Sequence, residues 1–262
     1  MLIKNRISQR KASIFISLTQ LIFLNFMNKR LIIASTSTLH EGQYLEYLLP
    51  ELSMHFENCK TILFIPFARP GGISHEEYTE KVASVFAKIN KKVKGIHEFE
   101  NPSKAITVAE GIFTGGGNTF LLVSQLYKNK IMTVLAETIK RGTPYLGTSA
   151  GSNICGLTMQ TTNDMPIIYP PSFVTLGLIS FNLNPHYLDP DLQSKHMGET
   201  REMRITEYHA FNNVPVLGLR EGSWLEVKDN KTILKGNLTA RLFMPNQIPV
   251  EIESGTDLSD LK

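Results

Sequence analysis

Pro144-Tyr145-Leu146-Gly147-Thr148-Ser149-Ala150-Gly151 is the stretch whose reading decides the fold. A short apolar run leads into G-x-S-x-G, the sequence form of a nucleophile elbow. In that form a strand ends, the chain turns sharply, and a serine hydroxyl is left exposed on the turn. The turn is too tight for a Cβ on both sides of the serine, and glycine takes the required φ/ψ at little cost. Small Ala150 lets its backbone N–H face the same spot as the hydroxyl. The same five letters also occur at ordinary strand–turn–helix junctions, so the surroundings must carry the reading.

Outward from the elbow, the pattern alternates strands and helices. Residues 31–35, 61–67, 92–99, 111–114 and 145–148 read as short, mostly apolar strands. Residues 41–56 place Tyr44, Leu45, Tyr47, Leu48, Leu49 and Leu52 at helical spacing. Residues 75–90 put Val82, Val85 and Phe86 on one helical face, and 120–140 read as one or two helices. Apolar strands alternating with amphipathic helices predict an α/β fold, a mostly parallel sheet covered by helices on both faces. Ligands of such sheets bind outside the carboxyl ends of the strands, where Ser149 would sit. Beyond residue 213 the segments 214–219, 224–228, 232–234 and 240–243 are short strands between turn residues. They predict an antiparallel C-terminal extension of the sheet.

The chain has 262 residues, 42% of them hydrophobic and 19% charged, which fits one globular domain and excludes a disordered chain. Its net charge of +3 owes much to Lys4, Arg6, Arg10, Lys11, Lys29 and Arg30. No basic stripe with interleaved aromatics follows, so a nucleic-acid partner is not expected. Cys59 and Cys155 are far apart and lack metal-ligand spacing, which predicts neither a disulfide framework nor a metal site and favours a reducing, cytoplasmic compartment. Residues 1–26 pair a basic start with an apolar run from Ile14 to Leu24 that Ser17, Thr19 and Gln20 interrupt. The run is short for a membrane span, and no small-x-small cleavage site follows it. The expectation is an N-terminal extension at 1–26, with Met27 the true start, one α/β domain over 27–262, and no stable membrane association.

A serine nucleophile needs a base, and the base an orienting acid. Among seven histidines, His186 in Asn184-Pro185-His186-Tyr187 is the best placed, because it follows an apolar run that Pro185 stops. His55 falls late in a helix and His97 inside a strand, which makes both structural. His40, His75, His196 and His209 read as solvated. Two acids compete for the third role. Asp164 lies in the polar loop Thr161-Thr162-Asn163-Asp164, and Glu221 follows the strand Val216-Leu217-Gly218-Leu219. The residues alone leave both open. A tetrahedral intermediate also needs N–H donors. Gly115-Gly116-Gly117-Asn118-Thr119 ends a strand and opens a helix, so the N–H groups of Gly117 and Ala150 are the expected oxyanion pair. A phosphate-binding loop is the competing reading, but the spacing fits neither common glycine-rich pattern.

Gly-Gly-Gly-Asn-Thr (115–119), Ser-Ala-Gly-Ser-Asn (149–153), Thr-Thr-Asn-Asp-Met-Pro-Ile (161–167), Asn-Pro-His-Tyr (184–187) and Gly-Glu-Thr-Arg-Glu (198–202) together resemble the peptidase E family of α-aspartyl dipeptidases, which also includes cyanophycinases. The likeness covers roughly residues 30–245. It implies a fold similar to the class I glutamine amidotransferase domain, with serine in place of cysteine. It also implies cleavage of dipeptides with an N-terminal aspartate, without metal or cofactor. The nucleophile then maps to Ser149, the base to His186, and the acid to Asp164 or Glu221. Gly147-Thr148 replaces a Gly-Trp pair associated with some members, a change in the pocket wall.

An aspartyl side chain needs a cationic partner, and arginine binds carboxylates bidentately. Arg201 is the candidate, with Asn118 and Asn163 as further donors and Glu199 or Glu202 for the substrate's free amine. The small peptide is the expected partner. Two other readings are a hydrolase of β-linked aspartyl peptides and a non-catalytic protein that binds acidic ligands.

Overall fold

A computed structural model describes residues 29–191, 193, 195 and 197–262; the expectations for segment 1–26, the Met27 start and His196 lie outside them. Five strands carry the predicted apolar runs, β1 (Arg30–Ala34), β2 (Thr61–Ile65), β3 (Lys92–Gly95), β4 (Gly111–Thr114) and β5 (Tyr145–Thr148). They pair in parallel in the order β3-β2-β4-β5-β1. Alternate side chains of a strand face opposite ways, and the sequence uses that period. Leu31, Ile33, Leu63, Ile65, Ile112 and Tyr145 enter one core, while Ile32, Ala34, Ile62, Phe64, Phe113 and Leu146 enter the other. Each fully buried Leu, Ile or Phe is worth about 1.5–3 kcal/mol relative to an exposed one.

Helices cover both faces. α1 (Leu49–His55) and α2 (His75–Phe86) press Leu52, Tyr78, Val82 and Phe86 onto the second core. α3 (Pro102–Thr107), α4 (Thr119–Lys128), α5 (Met132–Lys140) and the short α6 (Ala150–Asn153) cover the first. The helix expected over 41–56 is shorter. Leu45 adopts a left-handed φ of 56°, a 3-10 turn spans Glu46–Leu48, and Pro50 falls in the first turn of α1. Proline is tolerated there because its missing N–H would have no partner anyway.

The C-terminal extension divides between two sheets. β8 (Trp224–Lys228) and β9 (Lys231–Lys235) extend the main sheet antiparallel beyond β1. β6 (Asn182–Pro185), β7 (Val216–Leu219), β10 (Ala240–Phe243) and β11 (Val250–Ile252) form a second sheet in the order β11-β10-β7-β6. The strands beyond residue 213 pair antiparallel with one another and with β1, as expected, and the second sheet also takes in β6, parallel to β7. One face of this sheet joins the first core through Leu183, Leu217, Leu219 and Leu242. The other gathers Tyr187, Val216 and Phe243 against Ile205 of α7 (Arg201–His209). Among the described residues no helix is long and apolar enough to cross a membrane.

Candidate active site

The elbow forms where the sequence places it, and the strain sits on the serine. Ser149 has φ 54° and ψ −112°, a sparsely populated conformation costing on the order of 1–3 kcal/mol. The flanking glycines serve close approach rather than unusual φ. A Cβ on Gly147 would lie 2.4 Å from the Gly151 oxygen, and one on Gly151 would lie 2.1 Å from the Thr114 oxygen. The end of β1 holds the strained turn, since Ser149 N–H and the Ser152 hydroxyl both donate to Ala34 O, at 3.2 and 2.6 Å.

The second sheet brings the histidine. Leu183 O of β6 accepts from Asn153 Nδ2 of α6 at 2.8 Å and from the Thr161 hydroxyl at 2.7 Å, which ties β6 to the elbow. His186 follows Pro185 with a left-handed φ of 55°. Its N–H donates to Ser35 Oγ at 2.9 Å, and that hydroxyl donates to Leu219 O at 2.8 Å. His186 Nε2 then stands 2.9 Å from Ser149 Oγ, and His186 Nδ1 stands 2.6 Å from Glu221 Oε1. Glu221 lies just beyond the end of β7. Ser149, His186 and Glu221 thus lie together at the carboxyl ends of β5, β6 and β7.

Asp164 lies elsewhere. Its Oδ2 accepts from Thr119 N–H at 2.7 Å and from the Thr119 hydroxyl at 2.6 Å, with Thr162 Oγ1 at 3.0 Å. The expectation that left Asp164 open as orienting acid is corrected, because its contacts lie at the start of α4 and not on the imidazole. It still lines the small cleft with Ser149, Ala150, Asn153, Asn163 and His186. The asparagines expected as substrate donors are also committed within the protein. Asn118 caps α4 through Leu121 N–H and donates to Met165 O at 2.8 Å. Asn163 donates to Pro185 O at 2.7 Å and accepts from Asn184 at 2.8 Å. Glu202 pairs with Arg241 at 3.1 Å and Glu199 with Arg204 at 3.6 Å, so neither is a free anion for a substrate amine.

Arg201 opens α7, half-buried, and has no ion pair among the described residues. Burial and neighbouring Arg204 lower its pKa, while the Asp164 charge opposes them. It lines a cavity with Asp189, Asp191 and Thr200, separate from the cleft around Ser149.

The glycine-rich loop closes the site from the β4 side. Gly116 is backed against Ser149, since a Cβ there would lie 3.0 Å from Ser149 Cβ. Gly117, at φ 145°, presses on Ala68, whose oxygen a Cβ would meet at 2.3 Å. Among the described residues neither Gly117 N–H nor Ala150 N–H donates to a backbone oxygen.

His55 and His97 sit in packed parts of the fold. His55 is buried and bonded to Tyr145 O at 3.2 Å, and burial lowers its pKa to about 3. His97 belongs to a 3-10 turn, Ile96–Glu98, not to a strand. His40 is exposed as expected, whereas His75 and His209 are half-buried.

Sequence reasoning missed Ser35, and it missed Arg220, whose fork grips Asp189 at 2.7 and 2.8 Å and Glu251 at 2.9 Å. Arg220 precedes Glu221, and Asp189 lies three residues past His186, so one guanidinium joins the two loops. The only sequence signal was adjacency to the site residues.

The chain is similar to known proteins over most of its length. The profile of Peptidase family S51 matches residues 31–235. The chain is 44% identical over 231 residues to "Peptidase E" of Streptomyces coelicolor, covering 88% of this chain and 94% of that one. It is 42% identical over 236 residues to "Probable alpha-aspartyl dipeptidase" of Drosophila melanogaster, covering 89% and 97%. The crystal structure of a peptidase from an acI-B1 Actinobacterium shares the fold at a TM-score of 0.66 and 15% identity, over 89% of this chain and 97% of that one.

Proposed function

The chain belongs to Peptidase family S51, and from that premise we propose that it is a serine dipeptidase releasing aspartate from Asp-Xaa dipeptides. The observation that carries this reading is the continuous file Ser149–His186–Glu221, at 2.9 and 2.6 Å, built on a strained serine. His186 Nε2 takes the hydroxyl proton as Ser149 Oγ attacks the aspartyl carbonyl carbon. Glu221 holds Nδ1–H and stabilises the imidazolium that forms. Gly117 and Ala150 N–H receive the oxyanion. As the intermediate collapses, the peptide C–N bond breaks and His186 gives its proton to the leaving amine. Water, deprotonated by the same imidazole, then cleaves the ester and frees aspartate.

Recognition is electrostatic. A free dipeptide carries an α-ammonium close to the scissile carbonyl. Asp164, an anion in the cleft beside Ser149, is its partner, since Oδ1 accepts no hydrogen bond among the described residues. Arg201, a half-buried cation without an ion pair among the described residues, lines the cavity separate from this cleft and is the residue we assign to the side-chain carboxylate. Two buried free cysteines, Cys59 and Cys155, suit a reducing cytoplasmic setting.

A substrate panel tests the reading. The full chain should release aspartate from Asp-Leu, far less from acetyl-Asp-Leu, which lacks the ammonium, and little product from Ala-Leu. Arg201→Ala should erase the preference for Asp-Leu over Ala-Leu. Turnover of β-Asp-Arg in place of Asp-Leu would assign the β-linked reading. No turnover, together with no labelling of Ser149 by a fluorophosphonate, would leave the binding-protein reading.

A further inference from the structure

Beneath the glycine-rich loop lies a buried pair of tyrosines that the catalytic file does not use. Tyr78 projects from α2, whose first turn is fixed by a reciprocal cap. Ser74 Oγ accepts from Glu77 N–H at 3.1 Å, and Glu77 Oε2 accepts from Ser74 N–H at 2.7 Å. The Tyr78 ring meets Phe64 edge-on at 4.9 Å, and the side chain is 2% exposed. Its hydroxyl donates to Gly116 O across 3.4 Å and lies 3.3 Å from the Tyr44 hydroxyl. A tyrosine has one hydroxyl proton. With Tyr78 donating to Gly116 O, Tyr44 donates to Tyr78.

We propose that Tyr78, backed by Tyr44, is a positioning residue of the oxyanion site. This inference rests on the proposed role of Gly117 N–H as an oxyanion donor. Gly116 C=O and Gly117 N–H belong to one peptide unit. In a trans peptide these groups point in opposite directions, and the unit is planar. A donor gripping the Gly116 oxygen therefore fixes the direction of the Gly117 N–H. Without that grip, three successive glycines leave the plane free to rotate, because glycine tolerates nearly every φ/ψ. The next peptide is fixed separately, by Asn118 N–H donating to Ala68 O at 2.7 Å.

The glycines fit this account one by one. A Cβ on Gly115 would lie 2.7 Å from the Tyr78 hydroxyl oxygen, so glycine there makes room for the hydroxyl. Gly116 faces Ser149 and Gly117 faces Ala68. The chain of donors also polarises the peptide, since hydrogen bonds in series strengthen one another. Arg69, with its guanidinium carbon 5.3 Å over the Tyr78 ring, adds a positive field that favours donation by the phenol. Tyr78 lies outside the residues lining the cleft, so it acts on the oxyanion only through the peptide.

The test is Tyr78→Phe in the full chain, which keeps the ring against Phe64 and removes only the hydroxyl. Two rates are read, turnover of Asp-Leu and phosphonylation of Ser149 by a small fluorophosphonate. The second needs the oxyanion donors but no aspartyl pocket. Both should fall about tenfold, less than the 10²–10³ typical of deleting a donor outright, with KM for Asp-Leu unchanged. Tyr44→Phe should give a smaller fall in the same two rates, and it decides the matter if Tyr78→Phe does not fold. Rates matching wild type in the folded variants, or a change confined to KM, would overturn the inference. A wild type inert to both reagents would instead defeat the serine-peptidase reading, so the two failures are distinguishable.

Discussion

Exchanging each of the two candidate acids, Glu221 and Asp164, for its amide separates their roles. Glu221→Gln keeps the size of the side chain at 2.6 Å from His186 Nδ1, but an amide can present its NH₂ to that nitrogen. The proton then moves to Nε2, which can no longer accept from Ser149. The equivalent exchange in a triad with a buried acid costs about 10⁴ in kcat. Here the side chains of His186 and Glu221 are 37% and 49% exposed, so water screens the pair and partly solvates the imidazolium. The expected loss is accordingly smaller, about 10²–10³ in kcat. It should appear equally in fluorophosphonate labelling, which needs the base but no substrate recognition. Asp164→Asn removes instead the anion assigned to the substrate ammonium. A charge-assisted hydrogen bond is worth about 1.5–3 kcal/mol, or roughly 10- to 150-fold in kcat/KM for Asp-Leu. Its labelling rate should stay close to that of wild type. The assay is the pair of rates, Asp-Leu hydrolysis and labelling, for both variants with matched circular dichroism. Labelling that survives Glu221→Gln and fails in Asp164→Asn would refute the assignment and return Asp164 to the imidazole.

Two further outcomes follow from the surrounding structure. Burial lowers the His55 pKa to about 3 in the folded chain, from the ordinary imidazole value of 6.5. Between those values the unfolded chain binds the proton that the folded chain refuses, so stability rises with pH across that window, and about 2 kcal/mol is lost on going from pH 8 to pH 5. His55→Gln, which keeps a donor for Tyr145 O, should flatten thermal melts over that range, and an unchanged slope would contradict the buried neutral imidazole. Arg220→Ala should lower stability by about 1–3 kcal/mol, because Asp189 and Glu251 lose their shared cation while staying partly solvated. By loosening the His186 and Glu221 loops together, it should also lower kcat more than it raises KM, and a loss of melting temperature with kcat unchanged would restrict Arg220 to a structural role.

Much of the site was legible because short motifs carry their own physics. Mostly apolar runs between amphipathic helices gave the parallel strands, and G-x-S-x-G gave the elbow. The reason for its glycines was only half right. Gly147 and Gly151 are required by backbone oxygens 2.4 and 2.1 Å from where a Cβ would sit, and those oxygens come from Gly151 itself and from distant Thr114. The left-handed φ belongs to Ser149. The choice between Asp164 and Glu221 was not legible, because it depends on β6 lying parallel to β7, which sets His186 beside residue 221. Strand pairing across more than thirty residues leaves no local pattern. Asn118 and Asn163 looked available for substrate because each sits in a polar motif. Their amides are consumed by the α4 cap, Met165 O, Pro185 O and Asn184, partners set by tertiary folding. No motif in the sequence marks Tyr78, since only the position of Gly116 O gives its hydroxyl a purpose.

Release of free aspartate from Asp-Leu by the full chain, measured beside Ser149→Ala of equal thermal stability, tests the central claim most directly. The account predicts steady release by the wild type and none above background by the variant. Equal release by both would contradict Ser149 as nucleophile, and absence of release by a folded wild type would contradict the dipeptidase itself.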